Sequence, residues 1–232
     1  MRTIRPTLRV VLTLLASCLG LVAAPARAGT IVRFSVGTTF FDVALSSDPA
    51  LATTVNNFMN YVNTGRYTDT LIHRSTTYNP ATIQIIQGGS YVLDGSTINP
   101  IATDAPIPLQ ANFANLRGTI AMARTADPNS ATSGWFFNVT DNPALDSNYA
   151  VFGAITDSAG LAVMDAIASL QVYNASAELG PAFAELPLIN GNSLVVFQSI
   201  APVPEPSTLV LAGVGLAAAA FTAARRSRRV AR

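Results

Sequence analysis

The sequence predicts a mainly β domain, and three observations carry the prediction. Short alternating or wholly apolar runs recur at 31–36, 39–45, 70–74, 83–87, 119–123, 135–139, 150–155 and 194–200. Period-two alternation marks strands with one buried face. Turn-forming Gly, Pro, Asn and Asp separate the runs. Only two stretches follow helical spacing instead. Eight strands and two helices fit either a β-barrel or a sandwich. A closed barrel with a helix over each open end suits the pattern without being demanded by it. No internal repeat and no Gly- or Ser-rich linker divides the middle of the chain, so one domain is expected.

The helices rest on period 3.6. Between 53 and 63, Val55, Phe58, Met59 and Val62 fall on one face. Between 158 and 170, Leu161, Met164, Ile167 and Leu170 do the same. Asp157 or Ser158 can cap this second helix by accepting a hydrogen bond from its first turn.

Of the 232 residues 50% are apolar and 12% charged, and much of the apolar excess sits at the two ends. Arg2, Arg5 and Arg9 precede an apolar run at 10–24, followed by Ala26-Arg27-Ala28. A basic start, a short apolar core and small residues at an A-x-A site describe a secretory signal peptide over 1–28. The alternative is a retained anchor. Leu15-Ala16-Ser17-Cys18 resembles a lipoprotein processing box, but the apolar run continues past the cysteine. Cys18 is the only cysteine, so a domain starting at residue 29 has no disulfide, thiol nucleophile or cysteine-bound zinc.

At the other end, Val203-Pro204-Glu205-Pro206-Ser207-Thr208 leads into an apolar run at 209–224 and then Arg225-Arg226-Ser227-Arg228-Arg229. Sixteen residues make about 24 Å of helix, marginal for a hydrocarbon core of ~30 Å. A transmembrane helix is expected there, with its arginines cytoplasmic and the domain outside. The three-part pattern over 203–232 resembles the PEP-CTERM sorting signal of Gram-negative bacteria. That resemblance implies an exosortase-type partner enzyme cutting near Pro-Glu-Pro. It also implies an exported protein, held first on the periplasmic side of the inner membrane and then sent to the cell surface or beyond.

Charge supports the division. All 14 basic residues are Arg, four in the leader and five in the tail. The five remaining face 13 acidic residues across 29–206, a net charge of −8 behind an overall +1. An acidic exported domain argues against nucleic-acid binding, which needs a basic surface.

Three segments carry chemistry. Ile72-His73-Arg74 follows the first helix. Ile85-Ile86-Gln87-Gly88-Gly89 comes next. The third opens Arg117-Gly118-Thr119-Ile120-Ala121-Met122-Ala123-Arg124-Thr125, continues Pro128-Asn129-Ser130-Ala131-Thr132-Ser133, and reaches Trp135-Phe136-Phe137-Asn138. Asp146 and Val151-Phe152-Gly153 follow. In this order the segments resemble the cyclophilin family of peptidyl-prolyl cis–trans isomerases, bacterial members especially, across 29–202. The resemblance implies a closed eight-stranded antiparallel β-barrel with two α-helices and a peptide groove on its outer face.

It also implies roles. Arg74 matches the catalytic arginine, and Gln87 the residue that holds the substrate backbone and orients that arginine. Ile85, Phe136, Leu145 and Tyr149 match the proline-ring pocket, and Ala123 a residue whose backbone contacts the peptide. The reaction needs no cofactor or general base, and a lone histidine cannot build a metal site. His73 is therefore expected to be a structural neighbour of Arg74. Gln84 stands where a groove phenylalanine is usual, Gly134 where a glutamine is usual, and the chain is longer than usual over 75–82. Tyr78 or Ile83 can supply the missing apolar wall. Ala144 and Tyr149 replace a tryptophan and a histidine of many eukaryotic members. Reduced isomerase activity on proline-containing segments of exported proteins is the expectation. A non-catalytic proline-peptide-binding module at the surface or in an exopolysaccharide matrix is the alternative.

Overall fold

The computed structural model describes residues 29–76, 83–110 and 113–204. The first hairpin, β1 (Ile31–Val36) and β2 (Thr39–Leu45), sets the core, because its register puts Phe34 opposite Phe41. Alternation sends Val32, Phe34, Phe41 and Val43 inward, and each is almost wholly buried. Helix α1 (Ala52–Asn63) buries Phe58, Tyr61 and Val62. The chain continues through β3 (Thr70–Leu71), β4 (Arg74–Ser75), β5 (Ile85–Gly88), β6 (Tyr91–Asp94), β7 (Thr97–Pro100), β8 (Thr119–Met122), β9 (Trp135–Asn138) and β10 (Val151–Ile155). Helix α2 (Ser158–Ala168) follows, with Asp157 accepting the Gly160 N–H at 2.7 Å as its cap. Last come β11 (Gln171–Tyr173), α3 (Ser176–Leu179), β12 (Leu186–Ile189), β13 (Ser193–Leu194) and β14 (Val196–Pro202).

Eleven strands form one curled sheet in the order β4-β5-β9-β8-β10-β2-β1-β14-β3-β6-β7, while β11, β12 and β13 form a small second sheet. The 70–75 segment serves both ends of the large sheet's main run. Thr70 and Leu71 pair with β14, whereas Arg74 and Ser75 pair with β5. Between them the Ile72 N–H donates to the Val195 carbonyl and the His73 N–H to the Gln87 carbonyl. The single strand expected at 70–74 is thus two, because its backbone changes partner midway. The run at 194–200 divides for the same reason, at Val195.

The expected eight strands are joined by others. The β6–β7 hairpin turns through the two-residue loop Gly95-Ser96, with Gly95 at φ 60°, a dipeptide suited to tight hairpins. The elements β11, α3, β12 and β13 are too short to show a period.

Phe34 anchors the interior. Its ring stacks on Phe41 at 5.2 Å and meets Trp135, Phe137 and Phe197 edge-on at 5.3–5.6 Å, geometries that aromatic quadrupoles favour. Among the described residues no helix is long and apolar enough to cross a membrane. The expected signal peptide at 1–28 and transmembrane helix at 209–224 lie outside the described residues.

Candidate active site

Strands β4, β5, β9 and β8 present a row of outward side chains. Arg74 pairs with Gln87, Gln87 with Phe136, and Phe136 with Ala121. Neighbouring strands lie ~4.8 Å apart, so an arginine, an amide and an aromatic ring stand in sequence across the outer face. Their chain neighbours Ile86, Trp135 and Phe137 point into the core.

A cavity of about 450 Å³ opens over this row. Arg74, Ile85, Gln87, Ala123, Phe136, Leu145 and Tyr149, all seven residues singled out in the sequence, line it. Thr76, Ile83, Arg124 and Glu185 line it too. Its apolar side is a separate cluster in which Ile85, Phe136 and Leu145 pack with Ala121 and Val151. The Tyr149 ring stands perpendicular to Phe136 at 5.3 Å.

Glu185 is the functional candidate that sequence reasoning missed. Its carboxylate accepts from Arg74 Nε at 2.6 Å, and its backbone carbonyl accepts the Ser75 N–H at 2.8 Å. It lies 111 residues beyond Arg74, in a stretch with no motif to mark it. The pair is partly exposed, with side-chain accessibilities of 43% and 22%, so it adds little stability. What it fixes is orientation. With Nε engaged, the two Nη groups have no acceptor among the described residues and remain available to a ligand.

His73 fits the neighbour role by geometry. It is 3% exposed, its ring meets Tyr91 and Phe183 edge-on, and Nδ1 has no partner among the described residues. Burial, reinforced by the Arg74 charge, pushes its pKa down to about 4.

The departures have local reasons. Gln84 is used through its backbone, whose N–H donates to Asn142 Oδ1 while its carbonyl accepts from Asn142 Nδ2. Asn142 also donates to Asn138, which in turn donates to Asn115 and Thr119. This buried amide chain holds the loop that delivers Leu145. Gly134 leaves room for Ser90, whose Oγ would lie 2.9 Å from an added Cβ. Ile83, one of the two alternatives for the missing wall, does line the cavity. Tyr78, the other, lies outside the described residues. Gly88 and Gly89 admit the Trp135 indole, which a Cβ at either position would meet at 2.7 or 2.4 Å.

Comparison with known proteins decides the family. Residues 32–181 match the model described as "Cyclophilin type peptidyl-prolyl cis-trans isomerase/CLD". The chain belongs to the cyclophilin-type peptidyl-prolyl isomerases. It is 37% identical over 157 residues to a peptidyl-prolyl cis-trans isomerase of Acinetobacter baylyi, covering 65% of this chain and 78% of the relative. It is 40% identical over 134 residues to peptidyl-prolyl cis-trans isomerase A of Dickeya dadantii, covering 55% and 65% respectively. A cyclophilin-type isomerase from Cryptosporidium parvum, solved in the presence of the dipeptide Ala-Pro, superposes with a TM-score of 0.57 at 18% identity. That superposition covers 75% of this chain and 99% of the other, and supports the cyclophilin fold. Residues 202–229 match the PEP-CTERM protein-sorting motif, which marks the cyclophilin for export and sorting to the cell envelope.

Proposed function

We propose that this cyclophilin rotates X-Pro bonds in exported proteins through the 29–202 domain and so assists the folding of secreted or surface proteins. The supporting observation is the Arg74 guanidinium. It is held at Nε by Glu185, and its two Nη groups have no acceptor among the described residues beside the apolar cluster of the cavity.

The barrier to this reaction, ~18–20 kcal/mol, comes from amide resonance. In the twisted transition state the proline nitrogen becomes pyramidal and recovers its lone pair. A donor aimed at that lone pair binds the transition state better than either ground state, which is the condition for catalysis. Arg74 supplies it: one Nη donates to the proline nitrogen, the other to a nearby substrate carbonyl. An always-charged, rigid fork suits this task. Ile85, Phe136, Leu145 and Tyr149 hold the proline ring, with Ile83 adding apolar wall. Gln87 and the Ala123 backbone hold the peptide, so rotation is confined to one bond.

The remaining parts of this reading concern architecture and address. The curled sheet closes into a barrel through the shared 70–75 segment. The 1–28 leader directs export. The 209–224 helix holds the precursor in the inner membrane with the domain on its periplasmic side. An exosortase-type enzyme then processes the 203–232 tail, and the product goes to the cell surface or beyond.

A prolyl isomerase assay on folded 29–202, with Arg74→Ala alongside, tests the proposal. A rate well above the spontaneous one, largely lost in the variant, is expected. A folded domain that binds proline peptides without accelerating isomerisation would instead establish a peptide-binding module.

A further inference from the structure

The groove carries a second arginine that the catalytic reading leaves unused. Arg124 Nε donates to the Asn148 carbonyl at 2.8 Å, and Nη1 donates to the carbonyls of Thr125 and Ala126 at 2.9 and 3.3 Å. Its guanidinium lies over the Tyr149 ring, 4.7 Å from the centroid. The head group is thereby fixed, yet Nη2 has no acceptor and the charge has no carboxylate partner among the described residues. The other four arginines of the domain, Arg33, Arg66, Arg74 and Arg117, are each ion-paired.

The nearby carboxylates are committed elsewhere. Glu185, the carboxylate lining the cavity, is taken by Arg74. Asp127 caps the Asn129 N–H, and Asp146 accepts from Asn115. A 29–202 domain of net charge −7, five Arg against twelve Asp and Glu, therefore keeps a positive charge at the rim of its groove.

Distance gives that charge a target. Arg124 lies 4.7 Å from the Tyr149 ring and Tyr149 lies 5.3 Å from Phe136, so the cation is at most about 10 Å from the ring on which a proline would rest. Consecutive Cα atoms are 3.8 Å apart, and a glutamate side chain adds roughly 5 Å of reach. A residue adjacent to the proline can touch Arg124.

We propose that Arg124 selects substrates with an acidic residue directly before the proline. The inference rests on the isomerase reading of this groove and names its substrate class, Glu-Pro and Asp-Pro bonds. This chain carries such a bond in its own tail, Glu205-Pro206, within the sorting motif matched at 202–229. A second copy of this chain, or any chain with the same motif, is a substrate of the required chemistry. A glutamate meeting a fixed, half-desolvated cation gains attraction while a lysine meets repulsion. Both effects weaken as salt screens them.

The test uses the full-length chain in detergent and three peptides that differ only before proline, as Glu-Pro, Gln-Pro and Lys-Pro. The expected kcat/KM order is Glu, Gln, Lys, with Glu over Lys by about fivefold at low salt. The ratio should approach one in Arg124→Gln and persist in Arg33→Gln. Equal rates on the three peptides, or a preference that survives Arg124→Gln, would overturn the proposal. If no peptide is turned over above the spontaneous rate, the isomerase reading fails by itself. The same ranking is then read from anisotropy titrations of labelled peptides: an Arg124-dependent order supports the selection, and its absence refutes it.

Discussion

Strands β5 and β9 show two chemistries on one ribbon. Ile86, Trp135 and Phe137 face inward and are fully buried among rings from β1, β2 and β14, whereas Ile85, Gln87 and Phe136 face outward beneath the cavity. Every second residue serves stability and its neighbours serve recognition. The inner face depends on complementary shape over long sequence separations. The outer face depends on a few polar atoms held at fixed angles. A change of one residue in register would exchange the two sets.

The largest effect should come from breaking the inner face. Phe34→Ala removes the ring on which Phe41, Trp135, Phe137 and Phe197 all converge. A loss of about 4 kcal/mol is expected in denaturant unfolding, with isomerisation intact wherever the variant remains folded.

Burial of His73 gives the fold a pH dependence. Its folded pKa of about 4 lies below the ordinary 6.5, so the unfolded chain binds the proton first as pH falls. The histidine's contribution should be flat above pH 6.5, decline by about 3 kcal/mol towards pH 4, and then level off. The depressed carboxylates Asp104 and Asp165, each beside an arginine, titrate below that window. Unfolding curves at several pH values, compared with His73→Phe, isolate the histidine.

Asn142→Ala strips the Gln84 backbone and Asn138 of a buried partner. Roughly 2 kcal/mol of stability should be lost, and KM should rise because the Leu145 wall loosens. The smallest change in stability is expected for Glu185→Ala, which should leave the melting temperature within a degree or two. It should lower kcat about tenfold through misaimed Nη groups, and Glu185→Gln, whose amide oxygen still accepts from Nε, should restore part of it. Stopped-flow isomerisation and thermal melts together distinguish this from a simple structural loss.

The two faces were unequally legible in the sequence. β1 and β2 end where their alternation ends, and α1 and α2 start within a residue of their expected first turns, because burial writes a period into the chain. The splits at Ile72–His73 and at Val195 were not legible, since a strand that exchanges partners keeps its apolar pattern. The β6–β7 hairpin announced itself only by Gly95-Ser96. At the site, the seven residues drawn from local segments do share one cavity. Their roles follow from resemblance and await the assays above. Glu185 and Arg124 were missed for different reasons. Glu185 reaches Arg74 only through tertiary folding. Arg124 was visible within a quoted segment, but its isolation from every described carboxylate is a property of the assembled groove.

The dependence of Arg74 on Glu185 also bears on when the molecule can work during synthesis. The glutamate and β14, which joins β1 from about 165 positions further along the chain, are among the last parts of the domain to leave the ribosome. Contacts of such long separation form late. Until they form, the arginine lacks its anchor, and Thr70 and Leu71 just before it lack their β14 partner. A nascent copy should therefore reach its full isomerase rate only once the C-terminal third has arrived.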